Sequence, residues 1–268
     1  MRLGVAGCGA VGSRIALSLA KELKGSFVLT ALYDIDTARS AALAKRLRLS
    51  GRIVKRSIPE LVAGCDVVAE CVNSADAVDI ITLALKAHKK ILVMSVGRLF
   101  GKDSLFSLAR RNRAFLVLPS GAIAGLDAIK AARLAGLFSV TLTSRKPTAG
   151  FKGNAFLAAE GVVLDDIKSD QVLFEGGVGE AVKRFPQNIN VAAALALAVD
   201  GTRVKVRIIA SPALDRNTHE IVCIGKSGTI RTVTENVPCP DNPKTSYLAV
   251  LSGIQALKQL SDQVRIGT

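Results

Sequence analysis

The sequence predicts an α/β protein with two parts, a doubly wound parallel sheet at the N-terminal end and an α+β domain after it. Three observations predict this. Short apolar runs alternate with amphipathic stretches through about the first 120 residues, as in a parallel sheet covered on both faces. A glycine-rich turn, Gly7-Cys8-Gly9-Ala10-Val11-Gly12, joins the first apolar run to the first amphipathic stretch. Beyond residue 120 the strands alternate apolar and polar residues, the pattern of a sheet with one solvated face.

The elements follow in order. Leu3 to Ala6 is a strand that leads into the glycine turn. Val11, Ile15, Leu19 and Leu23 recur every four residues and predict a helix that Gly25 ends. Residues 27–33 read as a second strand, closing at Asp34. Ser57 caps a helix with Pro59 in its first turn. Residues 66–72 form an apolar strand, Ser74 caps a helix through Leu85, and 91–96 are strand again. A helix over 104–111 precedes a strand over 115–118. In the second part, 126–134 predict a helix and 140–144 a strand, whereas 154–170 show only an alanine-rich helical tendency. Residues 171–174 are strand-like, and 190–199 form a nearly all-apolar helix that must be buried. Strands over 204–209, 220–224 and 229–233 follow, the last two joined by a hairpin at Lys226-Ser227-Gly228. Pro238, Pro240 and Pro243 mark a loop before a final helix over 246–260. The expected domains are 1–120 and 121–244, with a helix over about 245–262 returning to the first.

The 268 residues are 49% apolar with a mean hydropathy of +0.35, enough apolar surface to offset chain entropy and exclude disorder. No apolar stretch is long and uncharged enough to span a bilayer. The first apolar run continues into the glycine turn, unlike a signal peptide, so a soluble cytoplasmic protein is expected. Five cysteines are dispersed with no C-x-x-C pair, and His88 and His219 are the two histidines. Neither a disulfide framework nor a metal centre is expected; the cysteines read as small core hydrophobes in a reducing compartment. Lys and Arg number 36 against 22 Asp and Glu, a net charge of +14. The cations are spread over separate elements, with two tyrosines and no tryptophan to stack on bases. An anionic small molecule fits this charge better than nucleic acid does, and neither nucleic acid nor membrane is an expected partner.

The glycine turn has the G-x-G-x-x-G spacing, lies between strand and helix, and is followed by an acid, Asp34, about twenty residues past its last glycine. In that context it is the dinucleotide-binding fingerprint of a Rossmann domain. Gly7 permits the tight turn, Gly9 admits a pyrophosphate to the backbone, and Gly12 lets helix and strand pack closely. The N–H groups of Ala10 and Val11 at the helix start meet the phosphate charge. Asp34 would accept hydrogen bonds from an adenosine ribose and favour NAD, while Arg39 nearby leaves NADP open. The carboxyl ends of the strands bring Asn73, Ser95, Gly97 and residues 120–124 to the cofactor side.

A nicotinamide enzyme also needs a group that handles a proton. His88 lies among cations at a helix end and reads as structural, whereas His219 begins a strand in the second domain and is the catalytic candidate. Asn188 and Asn190 in Phe185-Pro186-Gln187-Asn188-Ile189-Asn190 are either a turn and N-cap or amides for a carboxamide ligand. Asn242-Pro243-Lys244-Thr245-Ser246 is either a loop and N-cap or a lysine and two hydroxyls placed for a carboxylate. Ser144-Arg145-Lys146-Pro147 is a second anion clamp.

Those segments, with Pro119-Ser120-Gly121-Ala122-Ile123-Ala124-Gly125-Leu126-Asp127-Ala128, resemble the L-aspartate dehydrogenase family over essentially the whole chain. The resemblance implies oxidation of L-aspartate to iminoaspartate with NAD or NADP, a homodimer, and a product that feeds NAD biosynthesis or hydrolyses to oxaloacetate and ammonia. It implies that His219 is catalytic and that Ala122 and Asn190 contact the cofactor. Lys146 and Lys244, with Thr245, Ser246 and Asn188, are the residues expected to bind substrate, and His219 is expected to work as the acid/base group. A dinucleotide-binding sensor without chemistry, or a reductase of another small imine, remains open at this point.

Overall fold

The computed structural model describes residues 1–264, 266 and 267, apart from 187, 188, 201 and 202; of Pro243 and Lys244 it describes the backbone. The chain divides into two compact units. The first comprises Met1–Pro119 and Val250–Arg265; the second comprises Ser120–Ala249 and Ile266–Thr268.

The first unit runs β1 (Arg2–Ala6), α1 (Ala10–Ser18), β2 (Val28–Tyr33), α2 (Thr37–Arg46), α3 (Ile58–Ala63), β3 (Val67–Glu70), α4 (Ala77–Lys86), β4 (Lys90–Val93), α5 (Asp103–Arg111) and β5 (Leu116–Val117). Its five strands form a parallel sheet in the order β2-β1-β3-β4-β5. Leu3, Val5, Val67, Val68, Ile91 and Leu92 are all fully buried, which is why these strands read as unbroken apolar runs instead of alternating. From β1 the chain moves first outward to β2, then across to β3, so the carboxyl ends of β1 and β3 frame a topological switch point.

Two expectations for this unit change. The first helix stops at Ser18, not Gly25. The Ser18 hydroxyl donates back to the Ile15 carbonyl at 2.7 Å, and the chain continues in turns that still bury Leu23. The fourth helix starts at Ala77 because Ser74 donates to Asp76 Oδ2 at 2.8 Å instead of capping a backbone N–H. Ser57 does cap α3, accepting from Glu60 N, with Pro59 in the first turn as expected.

The second unit runs α6 (Leu126–Arg133), β6 (Leu137–Lys146), α7 (Ala155–Ala159), β7 (Gln171–Gly177), α8 (Val178–Arg184), α9 (Asn190–Val199), β8 (Val204–Ala210), β9 (Asn217–Gly225), β10 (Gly228–Asn236), β11 (Pro238–Cys239) and β12 (Asn242–Ser246). Five strands form a mixed sheet in the order β10-β9-β6-β8-β7, in which β6 and β8 are parallel and the other pairs antiparallel. One face carries Val140 and Leu142 of β6, Val206 and Ile208 of β8, and Ile221 and Cys223 of β9, all buried. The helix α9 is buried as its composition demands. Gly228, at φ +117, opens β10 after the two-residue turn Lys226-Ser227, as the hairpin reading expected. The sequence missed α8, a seven-residue helix too short for periodicity to reveal. The expected proline loop is instead the two-stranded pairing of β11 with β12, where prolines sit harmlessly on edge strands. The last helix, α10 (Tyr247–Ser261), follows β12 directly.

Among the glycines of the first unit, the backbone is approached most closely at Gly12. A Cβ there would lie 1.8 Å from the Gly7 carbonyl oxygen and 3.1 Å from Val5 Cγ1. Gly12→Ala is therefore expected to destabilise the fold by about 3 kcal/mol or more, read as a large drop in the midpoint of thermal unfolding.

Candidate active site

In the first unit the site begins with the glycine turn. Gly7 adopts φ +89, and a Cβ on it would stand 2.7 Å from the Cys71 carbonyl oxygen. Its N–H donates to the Tyr33 carbonyl at 2.8 Å, stitching the turn to β2. Gly9 differs: its φ of −72 suits any residue, and no atom lies within 4 Å of where its Cβ would be. The space it leaves is next to the start of α1, which has no side-chain cap and no acid in its first turn. Ala10, Val11 and Gly12 thus bring first-turn N–H groups to an open cradle, where an anion is the natural partner.

Asp34 is buried at the end of β2. Its Oδ2 accepts from Cys8 N at 2.7 Å and its Oδ1 from Asp36 N at 3.0 Å. The acid assigned to a ribose therefore also ties the end of β2 to the glycine turn. Arg39 pairs with Asp36 at 3.3 Å on the surface. Asn73 is exposed in the loop after β3. Next to it is a residue the sequence reading passed over: Glu70, the last residue of β3, is fully buried. Its Oε2 accepts from Ser95 N (3.1 Å) and Ser95 Oγ (2.7 Å), its Oε1 from Val72 N (2.8 Å). Burial pushes this carboxyl above the usual range against the pull of those donors. It pins the carboxyl ends of β3 and β4 together; a lone acid closing an apolar strand was the only signal for it.

The cysteines are free thiols. Burial, then Asp34, pushes Cys8 up to about 12, so it is a packing residue and not a nucleophile. Among the described residues no three His, Cys, Asp or Glu side chains gather to hold a metal ion, and no helix is long and apolar enough to cross a membrane.

In the second unit the register builds a polar row across the sheet. Ser144 on β6 stands opposite His219 on β9, and His219 opposite Thr234 on β10. His219 is 3% exposed, and its Nδ1 shares a 2.9 Å hydrogen bond with Ser144 Oγ. Thr234 Oγ1 donates to the Ala122 carbonyl at 2.8 Å and also reaches the His219 carbonyl at 3.5 Å. Asn236 Nδ2 donates to the same Ala122 carbonyl at 3.1 Å, while its Oδ1 is buried without a hydrogen-bond partner. Thus Ala122 and His219, far apart in sequence, are brought together by Thr234. Thr234 and Asn236 were missed, because two polar residues on an alternating strand look like solvated positions.

Lys146, two residues along β6 from Ser144, is also buried. Burial lowers its amine to about 8. Burial, and after it the charge of Lys146, pulls the His219 imidazole down to about 3. This corrects the expectation of a histidine that exchanges protons near neutral pH: His219 is a neutral imidazole there. Thr245 Oγ1 accepts from Asn242 Nδ2 at 3.1 Å, and buried Ser246 accepts from Asn217 Nδ2 at 3.4 Å. Both lie on β12, whose last residue, Ser246, directly precedes α10, so the two hydroxyls sit at a helix start as the sequence suggested but on an edge strand instead of a loop. Asn190 is exposed as the first residue of α9. Asn188 lies outside the described residues, as does the side chain of Lys244. His88 holds the Asn112 carbonyl through Nδ1 at 2.9 Å with φ +57 at the end of α4, a structural role as expected.

An open glycine cradle at the switch point of a parallel sheet is how NAD(P)-dependent oxidoreductases hold their coenzyme, and the residues here fit a pyrophosphate and a ribose diol. Comparison with known proteins sharpens the class. The family "Homoserine dehydrogenase, NAD binding domain" matches residues 7–119, and "Aspartate dehydrogenase, C-terminal" matches residues 127–260. The L-aspartate dehydrogenase of Methanosarcina mazei is 41% identical over 273 residues, covering all of both chains. That of Methanococcus maripaludis (strain C7) is 43% identical over 272 residues, again covering all of both. The crystal structure of aspartate dehydrogenase from Thermotoga maritima superposes with a TM-score of 0.76 at 26% identity, covering 100% of this chain and 99% of that one. The chain belongs to the L-aspartate dehydrogenase family and is an NAD(P)-dependent oxidoreductase.

The cradle predicts a separation of folding from binding. Gly9→Ala meets no atom and is expected to leave stability within about 0.5 kcal/mol. Its methyl group fills the pyrophosphate space, so NAD affinity measured by calorimetry is expected to fall about tenfold or more.

Proposed function

We propose that this enzyme oxidises L-aspartate to iminoaspartate, which hydrolyses to oxaloacetate and ammonia or feeds NAD biosynthesis. The observation that carries the reading is the polar row Ser144–His219–Thr234 with the Ala122 carbonyl on Thr234. It puts a buried neutral imidazole next to the main-chain segment that the family resemblance assigns to the coenzyme. When bound, the coenzyme supplies the hydride acceptor; the chain's own part is to hold, orient and desolvate the substrate. His219, with Nδ1 engaged by Ser144, offers Nε2 to the substrate as a neutral hydrogen-bonding group. Thr245, Ser246, Lys244 and Asn188 are the donors proposed for the substrate carboxylates, with Lys146 completing the substrate-binding set. Asp34 supports a preference for NAD, because its carboxylate would repel a 2′-phosphate. Half-exposed Ile224 and Val233 on the second unit's sheet support a homodimer.

The decisive assay is absorbance at 340 nm with a panel of amino acids and either coenzyme. Reduced coenzyme is expected with L-aspartate; its absence with every amino acid would leave a coenzyme-binding protein without this chemistry. His219→Ala is expected to lower kcat about a hundredfold or more while NAD affinity stays close to that of the unaltered enzyme. Unchanged turnover in that variant would remove His219 from the mechanism.

A further inference from the structure

We propose that Lys146 is the base that takes a proton from the α-ammonium group of the substrate, acting beside a His219 that Ser144 holds in place. The assignment rests on the aspartate reading above and deepens it. Residues two apart on a strand share a face, so Lys146 projects on the same side of β6 as Val140, Leu142 and Ser144, all buried. On that face the neighbouring strands contribute Val206, Ile208 and Ala210 from β8 and Ile221 and Cys223 from β9. The register partner of Lys146 on β8 is Ala210, which brings no charge. From β9 the titratable neighbour is His219. Among the described residues, Arg145 on the opposite face pairs with Asp170 and Glu220 at 3.6 Å each.

Two basic nitrogens thus share a buried, largely apolar surface, and chemistry distinguishes them. An imidazole brought to about 3 is a very weak proton acceptor near neutral pH. An amine brought to about 8 keeps an appreciable neutral fraction there and is a stronger base. One N–H bond of the substrate ammonium breaks and a new one forms on Lys146 Nζ. The lone pair left on the substrate nitrogen becomes the second bond of C=N as the α-hydrogen departs with its electron pair to the bound coenzyme. The product is protonated iminoaspartate, and Lys146 returns its proton to water. His219 stays neutral and orients the substrate through Nε2.

The pH profile of the unaltered enzyme is read first. kcat/KM for L-aspartate is expected to rise about tenfold per pH unit below about 8 and level off above it, since only the neutral amine accepts the proton. A profile flat across that region overturns the assignment, whether or not any variant folds. Lys146→Arg keeps a cation suited to a carboxylate but removes the base. Its kcat is expected to fall about a hundredfold or more with KM for L-aspartate within about threefold, and the limb near 8 is expected to vanish. Lys146→Ala is expected to regain turnover in proportion to added ethylamine. An arginine variant within about threefold of the original turnover shows a carboxylate clamp and overturns the base. If the unaltered enzyme forms no reduced coenzyme with L-aspartate, the substrate reading itself falls; an active enzyme with an unaffected arginine variant removes only the role of Lys146.

Discussion

The approach of two glycine backbones governs the first unit. The Gly7 carbonyl occupies the space in which any side chain at position 12 would begin, so α1 starts directly over the end of β1. That closeness aims the uncapped N–H groups of α1 at the carboxyl edge of the sheet, beside the switch point of a strand order running β2-β1-β3-β4-β5. Asp34 secures the same turn from β2 by accepting from Cys8 N, and Gly7 secures it by donating to Tyr33. With the turn fixed from both sides, the absence of a Cβ at Gly9 becomes a binding surface. Coenzyme binding is thus a consequence of backbone geometry more than of any one side chain.

In the second unit the shaping force is burial. Ser144, Lys146 and His219 are polar residues on a sheet face that β6, β8 and β9 otherwise line with buried apolar side chains, and Thr234 of β10 stands beside them. Burial disfavours the charged forms of His219 and Lys146, and it does so unequally: the imidazole stays neutral, while the amine is brought to about 8, where charged and neutral forms are both populated. Their placement follows from register. A shift of β9 against β6 by a single residue would turn His219 to the opposite face, where Glu220 and Arg145 now meet.

The legibility of this chain in its sequence follows from how local each feature is. The glycine turn, the Ser57 cap and the hairpin at Lys226-Ser227 are set by residues within a few positions of one another, and Asp34 stands at a fixed spacing of about twenty residues from that turn; each was readable. His219 was readable as a candidate through its position and the family resemblance, but its charge state was not, because burial and Lys146 determine that and both are tertiary facts. Glu70, Thr234 and Asn236 were invisible for the same reason: their partners Ser95 and Ala122 lie 25, 112 and 114 residues away. The proline-marked segment before α10 misled because a two-stranded edge pairing tolerates prolines that a central strand would not. Lengths were also overestimated where a side chain intercepted the backbone, as Ser18 does at the end of α1.

The claim beneath all of this is that a hydrogen with its electron pair moves directly from the aspartate α-carbon to the coenzyme. Incubating the enzyme with NAD and L-aspartate deuterated at that carbon, then weighing the reduced coenzyme by mass spectrometry, tests it most directly. The account predicts one deuterium in each newly reduced coenzyme. Reduced coenzyme without the label, with the deuterium in solvent or still on the amino acid, would contradict it.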